Sequence, residues 1–454
     1  MSAHVLGLLH DARRAVREGP AGLERRQRAR LAVLVAFARA HSPYYRALYR
    51  DLPPQVEVPT CLPVTRKPDL LAHFDDWVTD RAVTFGQVQA FLDQPALIGQ
   101  PFRGTLLAAT TSGTTGTRGV FLTDRQALRV RNALLARALL PTLTPGVVGR
   151  LLGGGGRTAA VLATGGHFAG LAGAMGTARR SARVRVFSVH RPLPELVAGL
   201  NAFRPAVLTG YASVLALLAD EQAAGRLRLR PGLVLLAAEG LAAGEDERIA
   251  RTFGATVRNV YASTECLHLA VGCAHGWLHV NSDWAVLEPV DAAYRPVPPG
   301  EASHTVLLSN LANRAQPILR YDLGDSVLVR PDPCPCGNPL PAVRVRGRAA
   351  DTLRFSDGSG GPVTLAPLAL ASLIDRTPGV ALFQLVQTAP DTLRVRLRPA
   401  AGADPGRVWQ AVHAELADLL RAHGLGHVTL ERAQETPQQS PGGKYRTVIP
   451  HGHA

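Results

Sequence analysis

The sequence predicts an α/β protein: a large N-terminal α/β domain with parallel sheets and a β-rich subdomain, followed by a small α+β domain at the C-terminus. Three observations carry the prediction. From about residue 104 to 265, short apolar runs of strand length (LLAAT, RTAAVLAT, RVRVFSV, PAVLTGY, GLVLLAAEG and TVRNVYAS) alternate with helix-like segments. That alternation is the pattern of parallel strands joined by helical crossovers. Residues 276–330 are denser in strand-forming runs (WLHV, AVLEPV, HTVLLSN, SVLVR), with Pro-Pro-Gly at a turn. The last hundred residues read β-β-α-β: LFQLVQ, TLRVRLRP, the amphipathic WQAVHAELADLLRAH and VTLERA. A chain of 454 residues also exceeds one ordinary core.

Ahead of the first strand, residues 1–50 have the spacing of amphipathic helices and end at HSPYYRALYR. Residues 52–68 form a Pro-rich stretch that predicts a linker. The 46% hydrophobic and 19% charged content is that of a soluble globular protein. The N-terminal MSAHVLGLLHDARRAVREG has an apolar run too short and interrupted for a secretory signal, so a cytoplasmic location is expected. The uncharged run from Thr158 to Ala178 has the length of a membrane span, but its glycines and His167 read as buried αβ structure, and no membrane partner is expected.

The net charge is +15, and only Lys67 and Lys444 are lysines, so nearly all of the positive charge is arginine. The basic residues are scattered and not interleaved with aromatics, so no nucleic-acid partner is expected. Polyanionic small molecules such as nucleotides and coenzyme A suit the charge at least as well.

TTSGTTGTRG (110–119) lies between two apolar runs and predicts a strand–loop–strand element. It does not match the GxxxxGK[ST] phosphate loop, which opens a helix. Backbone N–H groups in such a Gly-rich turn still form an anion-binding nest, and the hydroxyls add donors. Ser112, Gly113, Thr114, Thr115, Gly116 and Arg118 are therefore candidate phosphate-binding residues, against the plainer alternative of a flexible surface hairpin.

Four further stretches follow in order: YASTE (261–265), RYDLGD (320–325), GRAAD (347–351) and GGKYR (442–446). With the Ser/Thr/Gly loop ahead of them, they resemble the adenylate-forming superfamily of acyl-CoA ligases, luciferases and adenylation domains. HSPYYR, LPVTRKPDL, the CPCG segment and the FQLVQ run are similar to its phenylacetate–CoA ligase-like branch. The resemblance covers most of the chain. It implies ATP-dependent activation of a carboxylic acid as an acyl-adenylate, release of pyrophosphate, and transfer to a thiol of coenzyme A or of an acyl carrier protein. It also implies an N-terminal ATP- and acyl-binding domain over 1–347 and a mobile C-terminal lid domain over 348–454 that carries the catalytic lysine. A second copy of the chain, as a homodimer, is a further candidate partner.

The resemblance assigns roles residue by residue. Glu265 would hold magnesium against the phosphates, as an oxygen ligand suited to a hard cation. Thr264 would bond the phosphate or the substrate carboxylate, and Asp325 would accept the ribose hydroxyls. Glu239 and Gly240 would line the adenine pocket, Tyr261 would stack on the base, and Ala262, Ser263 and Arg348 complete the nucleotide-binding set. His167, Phe168 and Tyr211 are candidates for the acyl pocket. Lys444 would bridge the acyl carboxylate and the α-phosphate. Retention of a compact point charge in an otherwise arginine-rich chain supports that role, although Lys67 has no such assignment.

Thr117 and Arg118 stand where the family carries a lysine, Ala350 replaces one of two acidic hinge residues, and SDGSGGPVTLAPLAL replaces the loop that follows. These departures bear on thiol transfer more than on adenylation. Five cysteines are too few and odd in number for a disulfide framework. Cys273, His279, Cys334 and Cys336 offer three thiolates and an imidazole for a structural zinc, with His275 as a substitute for His279 and free buried thiols as the alternative. Two rival functions are a degenerate nucleotide-binding regulator without turnover and a basic nucleic-acid-binding protein.

Overall fold

Five of the six apolar runs between residues 104 and 265 form one parallel array. The computed structural model describes residues 3–111, 119–238, 244–346, 353–357, 361–365, 370–371, 373–374, 376–400, 402–438 and 447–451. The array belongs to a nine-stranded sheet. Its order is Ser326–Val329, Ala342–Arg346, Leu278–Val280, Ala270–Gly272, Thr256–Tyr261, Leu233–Ala237, Val207–Tyr211, Thr158–Leu162 and Val184–Ser188. The last five are parallel and the first four extend the sheet antiparallel. Ala159, Val161, Leu208, Val234 and Leu236 are sealed in a core with Leu200, Leu215 and Leu218 from the crossover helices. Strands covered on both faces need such continuous apolar runs.

The sixth run departs from the expectation. Leu107–Thr110 pairs only with Val120–Thr123, antiparallel, in register from Leu107↔Thr123 to Thr110↔Val120. A parallel neighbour needs a crossover of a dozen or more residues, and the connection here is too short for one. The expected strand–loop–strand element is therefore present, beside the main sheet rather than in it.

The β-rich region divides. Two of its runs join the nine-stranded sheet, while Ala285–Val290, Thr305–Asn310 and Ile318–Asp322 make a three-stranded antiparallel sheet. The uncharged run 158–178 is a strand, a turn and the helix Ala169–Ala178. No helix among the described residues is long and apolar enough to cross a membrane.

The Pro-rich stretch is not a free linker. Thr65 lies beside the Ile318–Asp322 strand: its N–H donates to Arg320 O (3.0 Å), its hydroxyl donates to Leu319 O (2.9 Å), and its carbonyl accepts from Asp322 N (2.9 Å). One threonine thus satisfies three polar groups in a place where water is excluded.

The C-terminal residues build the expected β-β-α-β unit. Thr429–Arg432, Thr392–Pro399, Val380–Ala389 and Val448–Ile449 form a four-stranded sheet in that order. Asp404 caps the helix Pro405–Ala422 by accepting from Arg407 N (2.7 Å). Val412, Leu416 and Leu420 of that helix bury against Leu385, Leu393 and Val395, a core separate from those of the larger sheets. Arg376 joins the two parts of the chain, with Nη1 on Thr164 O (3.0 Å) and Nη2 on Glu415 (3.1 Å).

The N-terminal helix Ala3–Arg17 is fastened by a buried charge network. Arg137, from the helix Arg125–Leu139, grips Asp283 with two bonds (2.9 and 3.0 Å) and also donates to Asn281 Oδ1 (2.6 Å) and Ala12 O (3.1 Å). Asp283 is fully buried. Arg137→Met strands that carboxylate, with only Arg30 at 3.7 Å to help. The expected loss is about 3 kcal/mol of stability, read by urea denaturation; an unchanged midpoint would exclude the network as a stabilising element.

Candidate active site

Those candidate residues that lie at or just past Tyr211 and Tyr261 stand where the parallel strands end. Tyr211 closes one strand, Ala237 its neighbour and Tyr261 the next, and the register sets Tyr211 beside Ala237 and Ala237 beside Val260. Carboxyl ends of parallel strands leave crevices in which ligands bind in open α/β sheets. Ala163, just past the adjacent strand, donates its N–H to Tyr211 Oη at 3.3 Å.

After Tyr261 the chain turns sharply. Ser263 N donates to Cys266 O (3.0 Å), and Cys266 N returns to Ser263 through its carbonyl (3.2 Å) and hydroxyl (3.1 Å). The turn leaves Ala262 exposed, Ser263 and Thr264 half-buried, and Glu265 only 7% exposed. Asn310 Nδ2 donates to Glu265 O at 2.9 Å and fixes its backbone. The Tyr321 hydroxyl donates to Glu265 Oε1 at 3.0 Å. No cation pairs with this carboxylate among the described residues, and its other oxygen has no hydrogen-bond partner among them.

Tyr321, within RYDLGD, carries no role in the sequence reading, and its hydroxyl is the group that holds the Glu265 carboxylate. It is 1% exposed, and burial followed by the Glu265 charge raises its pKa far above the ordinary phenol value, so it stays a donor. Alternation along Ile318–Asp322 is the signal that would have turned this aromatic inward. Asp322 holds the same strand, accepting from Thr305 Oγ1 (2.6 Å) and Tyr294 Oη (2.8 Å). Three residues on, Asp325 accepts from the Tyr261 hydroxyl at 2.8 Å and is 7% exposed. Two carboxylates from RYDLGD and YASTE are thus tied crosswise by two tyrosines, which is what brings the two stretches together.

The acyl-pocket candidates lie on the same side. His167 is 2% exposed, with Nε2 on Gln94 O at 3.1 Å and its ring 5.2 Å from that of Phe91. Its carbonyl accepts from Thr110 N at 2.9 Å, which joins this loop to the start of the Ser/Thr/Gly segment. Phe168 is half-buried against the parallel-sheet core. Ser112, Gly113, Thr114, Thr115, Gly116 and Arg118 lie outside the described residues, as do Glu239, Gly240, Arg348, Ala350 and Lys444. The neck of the first segment is described: Thr111 N donates to Gly119 O (3.0 Å) and Gly119 N to Thr111 Oγ1 (2.8 Å).

A second cluster stands at the sheet's other side. The ligand atoms of Cys273, His279, Cys334 and Cys336 all lie within 4.8 Å of one another. Cys273 Sγ is 3.8 Å from Cys334 Sγ, and Cys336 Sγ is 3.1 Å from His279 Nε2. His279 Nδ1 faces Leu340 O at 3.0 Å, an arrangement that directs the Nε2 lone pair at the thiols. His275 is exposed and outside the cluster, which resolves the sequence alternative in favour of His279. Register explains the meeting: Ala342, just past the Cys334–Cys336 turn, pairs with His279.

Tyr321→Phe should cost about 1–3 kcal/mol in denaturant unfolding at neutral pH, because a buried carboxylate loses its donor. Equal stability would mean that the bond to Glu265 contributes nothing.

No protein-family model matches the sequence, and no curated protein matches it. Solved structures do. A 2-hydroxyisobutyryl-CoA ligase, in complex with 2-HIB-AMP and CoA in the thioesterification state, is 22% identical over 96% of this chain and 91% of its own, with a TM-score of 0.61. The same enzyme in an open conformation with 2-HIB-AMP and CoA gives 21%, 95%, 92% and 0.55. Its postadenylation state with R3-HIB-AMP gives 22%, 95%, 89% and 0.54. The likeness spans nearly the whole of both chains and shows that this chain has the fold of that CoA ligase.

Proposed function

We propose that the protein activates a carboxylic acid with ATP as an acyl-adenylate, releases pyrophosphate, and transfers the acyl group to coenzyme A. The observation that carries the proposal is Glu265: a carboxylate 7% exposed, aimed by Tyr321 and without a cationic partner among the described residues. Such a group suits a hard divalent cation. Magnesium held there would offset charge on the phosphates during attack by the acid. Asp325, 7% exposed and held by Tyr261, would accept ribose hydroxyls, and the half-buried Thr264 would bond the α-phosphate or the acyl carboxylate. The nest of residues 112–116 with Arg118, the Glu239–Gly240 segment and Arg348 complete the nucleotide site in this reading. Lys444 supplies the cation between carboxylate and α-phosphate, on a lid domain that begins near residue 348.

Membership in the phenylacetate–CoA ligase-like branch is part of the proposal. It is supported by what the branch-like motifs do here: Tyr45 of HSPYYR donates to Pro317 O (3.0 Å), and Thr65 of LPVTRKP pairs with the RYDLGD strand. Coenzyme A is preferred to a carrier protein because the similar structures with TM-scores above 0.5 hold CoA or an adenylate of its ligase.

Pyrophosphate exchange screened over a carboxylic-acid library tests the function, and absence of exchange with every acid would overturn it. In that assay Glu265→Gln should lower the rate by about 10²–10³, since an electrostatic contact with the reacting phosphates is lost. Lys444→Ala should lose exchange to the same order while still passing a synthetic acyl-adenylate to thiol; equal loss of both halves would remove Lys444 from the adenylation step.

The Cys3His set fits a structural zinc in donor chemistry, in number and in the support given to His279. Purified protein should carry about one zinc per chain, and chelation should lower its melting temperature. Protein with no zinc and an unchanged melting curve under chelator would exclude the site.

A further inference from the structure

The strand Thr256–Tyr261 brings a cation to the face on which the Cys3His set meets. Its antiparallel pairing with Ala270–Gly272 runs Tyr261↔Ala270 and Val260↔Val271. Gly272 continues the pairing, since a Cβ there would come within 3.2 Å of both Asn259 N and Asn259 O. Cys273 stays in the hairpin as well, its N–H donating to Trp277 O at 2.9 Å. One step along this register sets Arg258 opposite Cys273, and residues directly opposite in an antiparallel pair leave the same face of the sheet. His279 pairs with Val271, two residues before Cys273, and therefore shares that face. The ligand atoms of all four residues lie within 4.8 Å of one another, so Cys334 and Cys336 join the set there.

Arg258 is half-buried, and its one hydrogen bond among the described residues runs from Nη1 to Val257 O at 2.7 Å. It forms no ion pair with a carboxylate among them. Burial pulls its pKa below the ordinary value, and the groups that act against this pull are Cys273 and Cys336, with no acid among them. Arg330 and Arg344 lie over the Trp277 ring, 5.1 and 4.3 Å from its centroid, and the Arg330 charge bears on Cys334. Of these cations Arg258 is the one that acts on two of the thiols.

A divalent zinc held by three thiolates and a neutral imidazole leaves the centre with one negative charge in excess. Away from bulk water such a charge is favoured by a fixed opposite charge close by. The benefit is mutual, because a half-buried guanidinium without a carboxylate gains a counter-ion in the same contact.

Resting on the zinc reading given above, we propose that Arg258 is the counter-charge of the metal centre: it offsets the excess negative charge of the three thiolates and so raises metal affinity without being a ligand. The role depends on charge and not on the planar fork of arginine, so a lysine at this position serves it too.

The test is metal affinity, measured by competition between purified protein and a chromogenic zinc chelator and by the visible bands of the cobalt(II)-substituted protein. Wild type should bind one metal, Arg258→Met should bind zinc about 10–100-fold more weakly, and Arg258→Lys should keep most of the affinity. Cys336→His removes the excess charge at its source, because two thiolates and two imidazoles make a neutral set with zinc. On that background Arg258→Met should cost no affinity. Equal affinity of wild type and Arg258→Met overturns the assignment and leaves the zinc site standing. So does a loss that Arg258→Lys shares, or one that persists undiminished with Cys336→His, since a packing role predicts both. If wild type binds no metal, the zinc reading falls and the assignment of Arg258 falls with it. Should Arg258→Met fail to fold, Arg258→Gln takes its place, and should Cys336→His bind no metal, the lysine variant decides.

Discussion

One extended stretch, residues 318–325, holds the site together. Its Tyr321 hydroxyl reaches Glu265 and its Asp325 receives the Tyr261 hydroxyl, so each end of the YASTE turn is tied to the same strand. Neither carboxylate is placed by its own element. Glu265 sits in a turn with its carboxylate held by Tyr321, and Asp325 follows the left-handed Gly324 (φ +77°), whose N–H is held by Thr305 and Asp322. Arg320, with φ +47°, pins the stretch by an ion pair to Glu288 (3.2 Å) and a bond to Leu62 O (2.6 Å). A left-handed arginine is costly, and these two contacts fix it.

Legibility in the sequence followed the range of the forces involved. Runs such as RTAAVLAT and PAVLTGY declare themselves because a strand buried on both faces must be apolar throughout. The order of those strands is not written in any one of them, and LLAAT looked like another member although it pairs only across a short hairpin. Thr65 was invisible because a lone threonine among prolines has no periodicity, and its partner lies far along the chain. The cysteines and histidine were recognisable as candidate ligands by residue type, whereas their convergence depends on the pairing of Ala342 with His279.

The candidate site shows the same division. Acids and tyrosines were named from short motifs, but which tyrosine serves which acid is a property of register: Tyr321 acts on Glu265, and Tyr261 reaches Asp325 instead. Arg131 gave no signal among so many arginines, since a helical arginine in sequence is indistinguishable from a solvated one. Only its lack of any acceptor among the described residues sets it apart from Arg137, six positions on and fully bonded.

The pairing of Thr65 with the 318–322 strand has a consequence for the order in which the molecule is assembled. The hydroxyl of Thr65 and its acceptor are separated by 254 residues, and closing so long a loop costs entropy that local contacts do not repay. On the ribosome the parallel strands, all complete by Tyr261, have emerged before that partner exists. The sheet can therefore consolidate early, while the strap, Glu265 and its tyrosine come into place only after residue 325 has been made. The candidate site is therefore assembled after the parallel sheet on which it stands.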